Sequence, residues 1–140
     1  MAITHPYVAL HYDLMERADE EKDLERKKAL LLEDVSIFED FVRDYKSQVD
    51  EEVERSMYMG HLIGEKYPLK YYKEKRAWMY NVPRYSSFKA LAIIYEKEGD
   101  FAAAIDICRI AIKVGQTNDG TKGGMSGRLE KLLAKQKKKA

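Results

Sequence analysis

Three groups of residues in this chain have types and spacings that could do chemistry. The first is the loop Asp119-Gly120-Thr121-Lys122-Gly123-Gly124-Met125-Ser126-Gly127-Arg128. Glycine backbones leading into a helix N-terminus favour anions, and Lys122 and Arg128 add positive charge, so these two residues are the candidate anion binders. The loop is not a P-loop, because its lysine precedes the glycine pair and no strand leads into it. The plainer expectation is a turn that docks the following helix.

The second group lies between Lys66 and Tyr85. Tyr67, Tyr71, Tyr72, Trp78, Tyr80 and Tyr85 alternate with Lys66, Lys70, Lys73, Lys75, Arg76 and Arg84. Such interleaving can stack bases while neutralising phosphates. Tyrosine and tryptophan equally suit a protein interface, each giving a rigid apolar body with one polar tip, and Trp78 and Tyr80 are candidate partner-binding residues on that ground. Packing at a joint between helices is the third and leading alternative.

The third group is the titratable side chains. His5 and His11 are six apart and His61 is remote, so none has the four-residue spacing that puts two imidazoles on one helical face. Cys108 is the single cysteine and has no histidine near it in sequence. The carboxylates fall in runs at 19–25 and 50–54 that suit solvated helix faces. No catalytic residue, metal site or cofactor is expected, and the chain is read as a non-enzyme.

The elements that must position these groups follow from apolar periodicity. Tyr7, Leu10, Leu14 and Ala18 recur at helical spacing after Pro6, which a helix start tolerates. A second stripe runs through Leu24, Leu31, Val35, Phe38, Val42, Tyr45, Val49 and Val53, predicting one unusually long helix. Gly60, Gly64, Pro68 and Pro83 punctuate the next stretch, with a short helix predicted from Leu69 to Met79 and a connector at Asn81-Val82-Pro83. Helices then follow within 85–114, joined at Gly99-Asp100-Phe101, with Gly115 as the stop. Ser126 is the expected N-cap of a last helix that buries Leu129, Leu132 and Leu133.

Residues 85–114 resemble a tetratricopeptide repeat. Phe88 stands where that family usually has Trp, followed by Leu91, a small Ala92 and Tyr95; Ala104, Cys108 and Ala111 match the small residues of the second helix. Gln116 departs from the usual Pro. The resemblance implies an all-α fold of antiparallel helical hairpins with a C-terminal capping helix. It places Cys108 in a small buried slot, where a thiol stays protonated and inert. It also implies a peptide lying on the concave face of the first helix, at Ser86, Lys89, Ile93, Glu96 and Lys97. The carboxylate clamp of some members needs an asparagine where Ile93 stands, which puts that ligand class in doubt here. The tail Asp-Gly-Thr-Lys-Gly-Gly further resembles the C-terminal signature of uncharacterised bacterial proteins with repeat-like helices.

A single repeat cannot bury its own apolar face, so the rest of the chain should supply neighbours. The expected organisation is one helical domain over 1–140: a degenerate first hairpin at 1–59, a connector at 60–84, the repeat-like hairpin at 85–115 and a capping helix at 126–138. A charged fraction of 35% suits helices with solvated outer faces. No apolar run approaches the roughly 18 residues needed to span a bilayer, and no secretory signal is evident, so the expected location is cytoplasmic with no membrane partner. Residues 1–60 carry 8 basic and 16 acidic side chains, and 61–140 carry 17 and 8. That asymmetry suits complementarity between halves, self-association or an acidic partner. The expected function is a protein-interaction adaptor binding an unknown peptide or protein. Two alternatives stand beside it: a nucleic-acid-associated protein using 66–85 and the lysine tail, and a self-assembling subunit forming a homo-oligomer.

Overall fold

Proline at the first helical position, apolar residues three and four apart and glycines at the boundaries make helix the only regular structure in the described residues. The computed structural model describes residues 5–65 and 67–139. Among the described residues seven helices follow one another: α1 Pro6–Glu20, α2 Leu24–Ser36, α3 Phe38–Leu62, α4 Leu69–Met79, α5 Ser87–Lys97, α6 Phe101–Lys113 and α7 Gly124–Lys139. The fold is all-α, as the periodicity predicts.

The chain divides into two compact units. One is built from the chain up to Tyr12 together with Ile37–Pro83; the other joins Asp13–Ser36 to the chain from Arg84 onward. The single long helix expected from Leu24 onward is two helices, α2 and α3, separated at Ile37. There φ is −93° and ψ 7°, a conformation just outside the helical well.

In the second unit α5 packs against α2 and α6, and α6 packs against α7. Asp23 starts α2, its carboxylate accepting the Arg26 N–H at 2.9 Å. Gly99, with φ of 77°, ends the α5 turn, and Asp100 caps α6 by accepting the Ala103 N–H at 3.1 Å. The α5/α6 seam is tight because its residues are small: Ala92, Ala104, Cys108 and Ala111 are fully buried, beside Phe88 and Leu91. Burial pushes the Cys108 thiol up to about 11, so it stays protonated at neutral pH. Gly115 adopts φ of 88° and stops α6, with the Gln116 N–H returning to the Ala111 carbonyl at 2.8 Å.

The last helix begins two residues before the expected cap. Gly123 and Gly124 have φ of 91° and 62°, and the Met125 N–H donates to the Thr117 carbonyl at 2.9 Å, so Ser126 lies inside α7 and is exposed. The helix buries Met125 and Leu132, while Leu133 is exposed, in contrast to its expected burial. Residues 125, 128, 129 and 132, three and four apart, form the face that turns inward, and Leu133 falls beside it.

In the first unit Phe41 is fully buried and receives the His11 ring edge-on at a centroid distance of 4.6 Å. The Tyr7 N–H donates to Asp44 at 2.9 Å. Further along α3, Val49 and Val53 pack with Tyr72 of α4, surrounded by Tyr45, Met57, Met79 and Tyr80. Gly60 makes room for this packing, since a Cβ there would lie 3.1 Å from the Tyr72 hydroxyl. α4 spans the residues predicted for it.

Candidate functional site

Three of the residues singled out on α5 come together. Ser86, Lys89 and Ile93 line one groove with Met15 and Asp19 of α1 and Lys27 and Leu31 of α2. Its volume is about 280 Å³, and Ala90 completes its floor. The helical period explains the grouping: positions 86, 89, 90 and 93 share one face of α5, while Phe88, Leu91 and Ala92 turn into the core. Apolar surface from Met15, Leu31, Ala90 and Ile93 is thus bordered by two lysines and one aspartate. Neither lysine has an ion-pair partner among the described residues.

This face is held in place by a buried polar network at the N-terminal end of α5. Asp34 of α2 is fully buried. It accepts the Tyr85 hydroxyl at 2.7 Å on one carboxylate oxygen and the Ser87 hydroxyl at 2.5 Å on the other. Burial, reinforced by the Asp34 bond, holds the Tyr85 phenol far above its ordinary range, so it remains a donor. The Tyr85 N–H donates to the Gln116 side-chain oxygen at 2.7 Å. Gln116, the departure from the repeat pattern, thereby secures the chain as it enters α5. Asp34 did not stand out in the sequence, and Gln116 did so only as a departure from the repeat's Pro, because the bonds to Tyr85 and Ser87 join residues far apart in the chain.

Glu96 and Lys97 part from this groove. The Glu96 carboxylate accepts a hydrogen bond from the Lys135 ammonium of α7 and lines a different pocket with Thr121, Lys122, Gly127, Arg128 and Lys131. Lys97 is exposed at the end of α5. Lys122 and Arg128, the candidate anion binders, do share that pocket, but the Arg128 Nε donates to Asp119 at 2.9 Å. Asp119 is itself buried and accepts the Thr121 N–H at 2.9 Å as well as the Thr121 hydroxyl. Burial alone would raise its pKa; the Thr121 and Arg128 hydrogen bonds outweigh that and hold it at about 2. The glycine-rich loop is accordingly folded around an internal carboxylate. Gly120, with φ of 83°, is covered so closely by Arg84 that a Cβ would lie 2.0 Å from its Nη1.

The aromatic and basic segment does not form one exposed face. Tyr72 and Tyr85 are buried, in different units, and Tyr80 bonds to Asp50 while Lys46 sits over its ring at 5.7 Å. Trp78 is 76% exposed, and Tyr67 stacks on Tyr71 at 4.7 Å with both rings open to solvent. Arg76 pairs with Asp50 at 3.2 Å and Lys75 bonds to Ser56 at 3.3 Å. Lys66 lies outside the described residues. Among the described residues there is no group of three or more His, Cys, Asp or Glu able to hold a metal ion, and no helix long and apolar enough to cross a membrane.

In the described residues the protein is all-helical, and the α5 residues singled out in the sequence open onto a groove between helices. No family model, no curated protein and no solved structure matches the chain.

Proposed function

We propose that this protein is a non-enzymatic recognition module of tetratricopeptide-repeat type, and that an extended polypeptide segment of a partner lies in the groove of α1, α2 and α5. The observation that carries this reading is the convergence of Ser86, Lys89 and Ile93 with Met15, Lys27 and Leu31 on one half-open groove. Apolar contacts from Ile93, Leu31 and Met15 supply affinity, and Lys27, Lys89 and Asp19 along the rim fix the direction of the bound chain. The sealed α5/α6 seam and the Asp34 network support the reading in a second way, because a recognition face must be rigid before its partner arrives. The repeat-like signature of 85–114 agrees with helices stacked in the order α2, α5, α6 and α7.

Selection of a displayed random-peptide library on the immobilised full chain tests the proposal. Enriched peptides should lose binding to Lys89→Glu with Ile93→Asp while the variant keeps the helical circular dichroism of the wild type. Undiminished binding of those peptides to the folded double variant would remove the groove from the mechanism.

A further inference from the structure

The groove of α1, α2 and α5 adjoins a second recess. Ser86 and Lys89 line the groove and also a more enclosed cavity of about 130 Å³, where they meet Arg84, Phe88 and Asn118. All of these residues belong to one compact unit. A segment lying along the groove therefore passes the mouth of the cavity at the N-terminal end of α5.

The charge around this cavity is one-sided. Arg84 and Lys89 have no ion-pair partner among the described residues. The carboxylate at its wall, Asp119, is already committed: one oxygen accepts from Thr121, the other from Arg128, and the side chain has no exposed surface. Two cations thus face one small space without a counter-charge, and an anion seated between them relieves their mutual repulsion. The Arg84 guanidinium rests on the backbone of Gly120, where any Cβ would collide with it, so the loop itself gives this cation its place. The Asn118 side-chain oxygen accepts the Gly120 N–H at 2.9 Å, which leaves the amide nitrogen as a further donor. Ser86 is exposed and makes no capping bond with its hydroxyl. Phe88 supplies an apolar floor.

We propose that this cavity receives the side chain of a glutamate in the bound polypeptide segment, with its methylenes against Phe88 and its carboxylate between Arg84 and Lys89. The inference rests on the reading of the groove as a peptide site and adds the chemistry by which the segment is chosen. A guanidinium presents a planar fork that matches the two oxygens of a carboxylate. An ionised carboxylate only accepts hydrogen bonds, and Arg84, Lys89, the Asn118 amide and the Ser86 hydroxyl are all able to donate. Glutamine has the same length but would bring an N–H2 group and no charge to the two cations. The volume equals that of about four waters at ~30 Å³ each, which is room for a carboxyl group and the methylenes that carry it. Spacing adds a second condition. Ser86 and Ile93 lie about 10 Å apart at ~1.5 Å per helical residue, a distance that an extended chain covers in about three residues of ~3.3 Å. The segment should therefore carry an apolar residue about three positions from the glutamate, the first against Ile93, Leu31 and Met15 and the second in the cavity.

The test is a double-mutant cycle on peptides selected from the displayed library with the full chain, each titrated by fluorescence anisotropy. Arg84→Gln, at an exposed side chain, should keep the wild-type circular dichroism. Arg84→Gln in the protein and glutamine in place of the peptide's glutamate should each weaken binding about five- to tenfold, and together no further than either alone. Ile93→Asp should abolish binding and reports on the groove independently. Peptides that need Ile93 but carry no glutamate at this spacing, are indifferent to Arg84→Gln, or show the two changes multiplying would overturn the cavity assignment and leave the groove standing. Binding indifferent to Ile93→Asp, or no peptide selected at all, would overturn the groove and the inference with it.

Discussion

The α5/α6 hairpin and the α3/α4 hairpin treat their apolar residues in opposite ways. The first seals them: Phe88, Leu91, Ala92, Ala104, Cys108 and Ala111 show no more than 1% of their surface. The second buries Val53 and Tyr72 but leaves Tyr58, Met59, Leu62, Ile63, Tyr67, Leu69, Tyr71 and Trp78 in solvent. One hairpin thus closes its apolar seam and leaves a groove beside α5, and the other keeps many of its apolar side chains open.

Truncating the sealed seam should cause the largest loss of stability. Leu91→Ala is expected to lower unfolding free energy by about 2–5 kcal/mol, because a fully buried position leaves a cavity. Leu62→Ala, on the open hairpin, should change it by less than about 0.5 kcal/mol. Denaturant titration of both variants gives the contrast directly, and equal losses would break the comparison.

Next in size is the loop before α7. Gly124→Ala should cost at least about 1–2 kcal/mol from the left-handed backbone alone. The new Cβ would also approach the Thr117 carbonyl oxygen to 2.5 Å, and backbone cannot move aside as a side chain can. Gly127→Ala sits in open space inside α7 and should stabilise the protein by about 0.5–1 kcal/mol. Melting temperatures shifting in opposite directions would sharpen the assignment of this segment as a structural dock.

Comparable in scale is Tyr85→Phe, which removes one donor to the buried Asp34 carboxylate and should cost about 1–3 kcal/mol. Asp119 adds a pH dependence. Its folded pKa, about 2, lies below the ordinary carboxylate value, so its stabilising contribution is present above about pH 4 and disappears as pH falls from there toward 2. Asp119→Asn should flatten the acid limb of stability against pH in that window. The smallest effect is kinetic: Cys108 should react with a thiol reagent only on unfolding, having no surface exposure and a raised pKa.

Local signals carried much of the fold. Leu69 to Met79 was legible as a helix because Pro68 precedes it and the Asn81-Val82-Pro83 connector follows it, and the Gly99-Asp100 turn because glycine and an N-cap aspartate each have a local cause. The break at Ile37 was not legible, since neither glycine nor proline marks it and the apolar stripe runs through it without a change of period. Ser126 misled because serine is a good cap in general, whereas here the helix start is set by Gly123, Gly124 and the distant Thr117 carbonyl. Three of the nine residues lining the candidate groove, Ser86, Lys89 and Ile93, were legible from the start of α5. Met15, Lys27 and Leu31 were not, because only tertiary packing brings α1 and α2 to that face. The same reason hid Asp34, whose short polar side chain in a charged helix looks like any solvated carboxylate until Tyr85 and Ser87 meet it.

The most direct test of the central claim is an amide chemical-shift map of the full chain titrated with a peptide selected on it. The largest shifts should fall on Met15, Lys27, Leu31, Ser86, Lys89 and Ile93, with α6 and α7 unmoved. Shifts concentrated on Tyr67, Tyr71 and Trp78, with α5 silent, would contradict it.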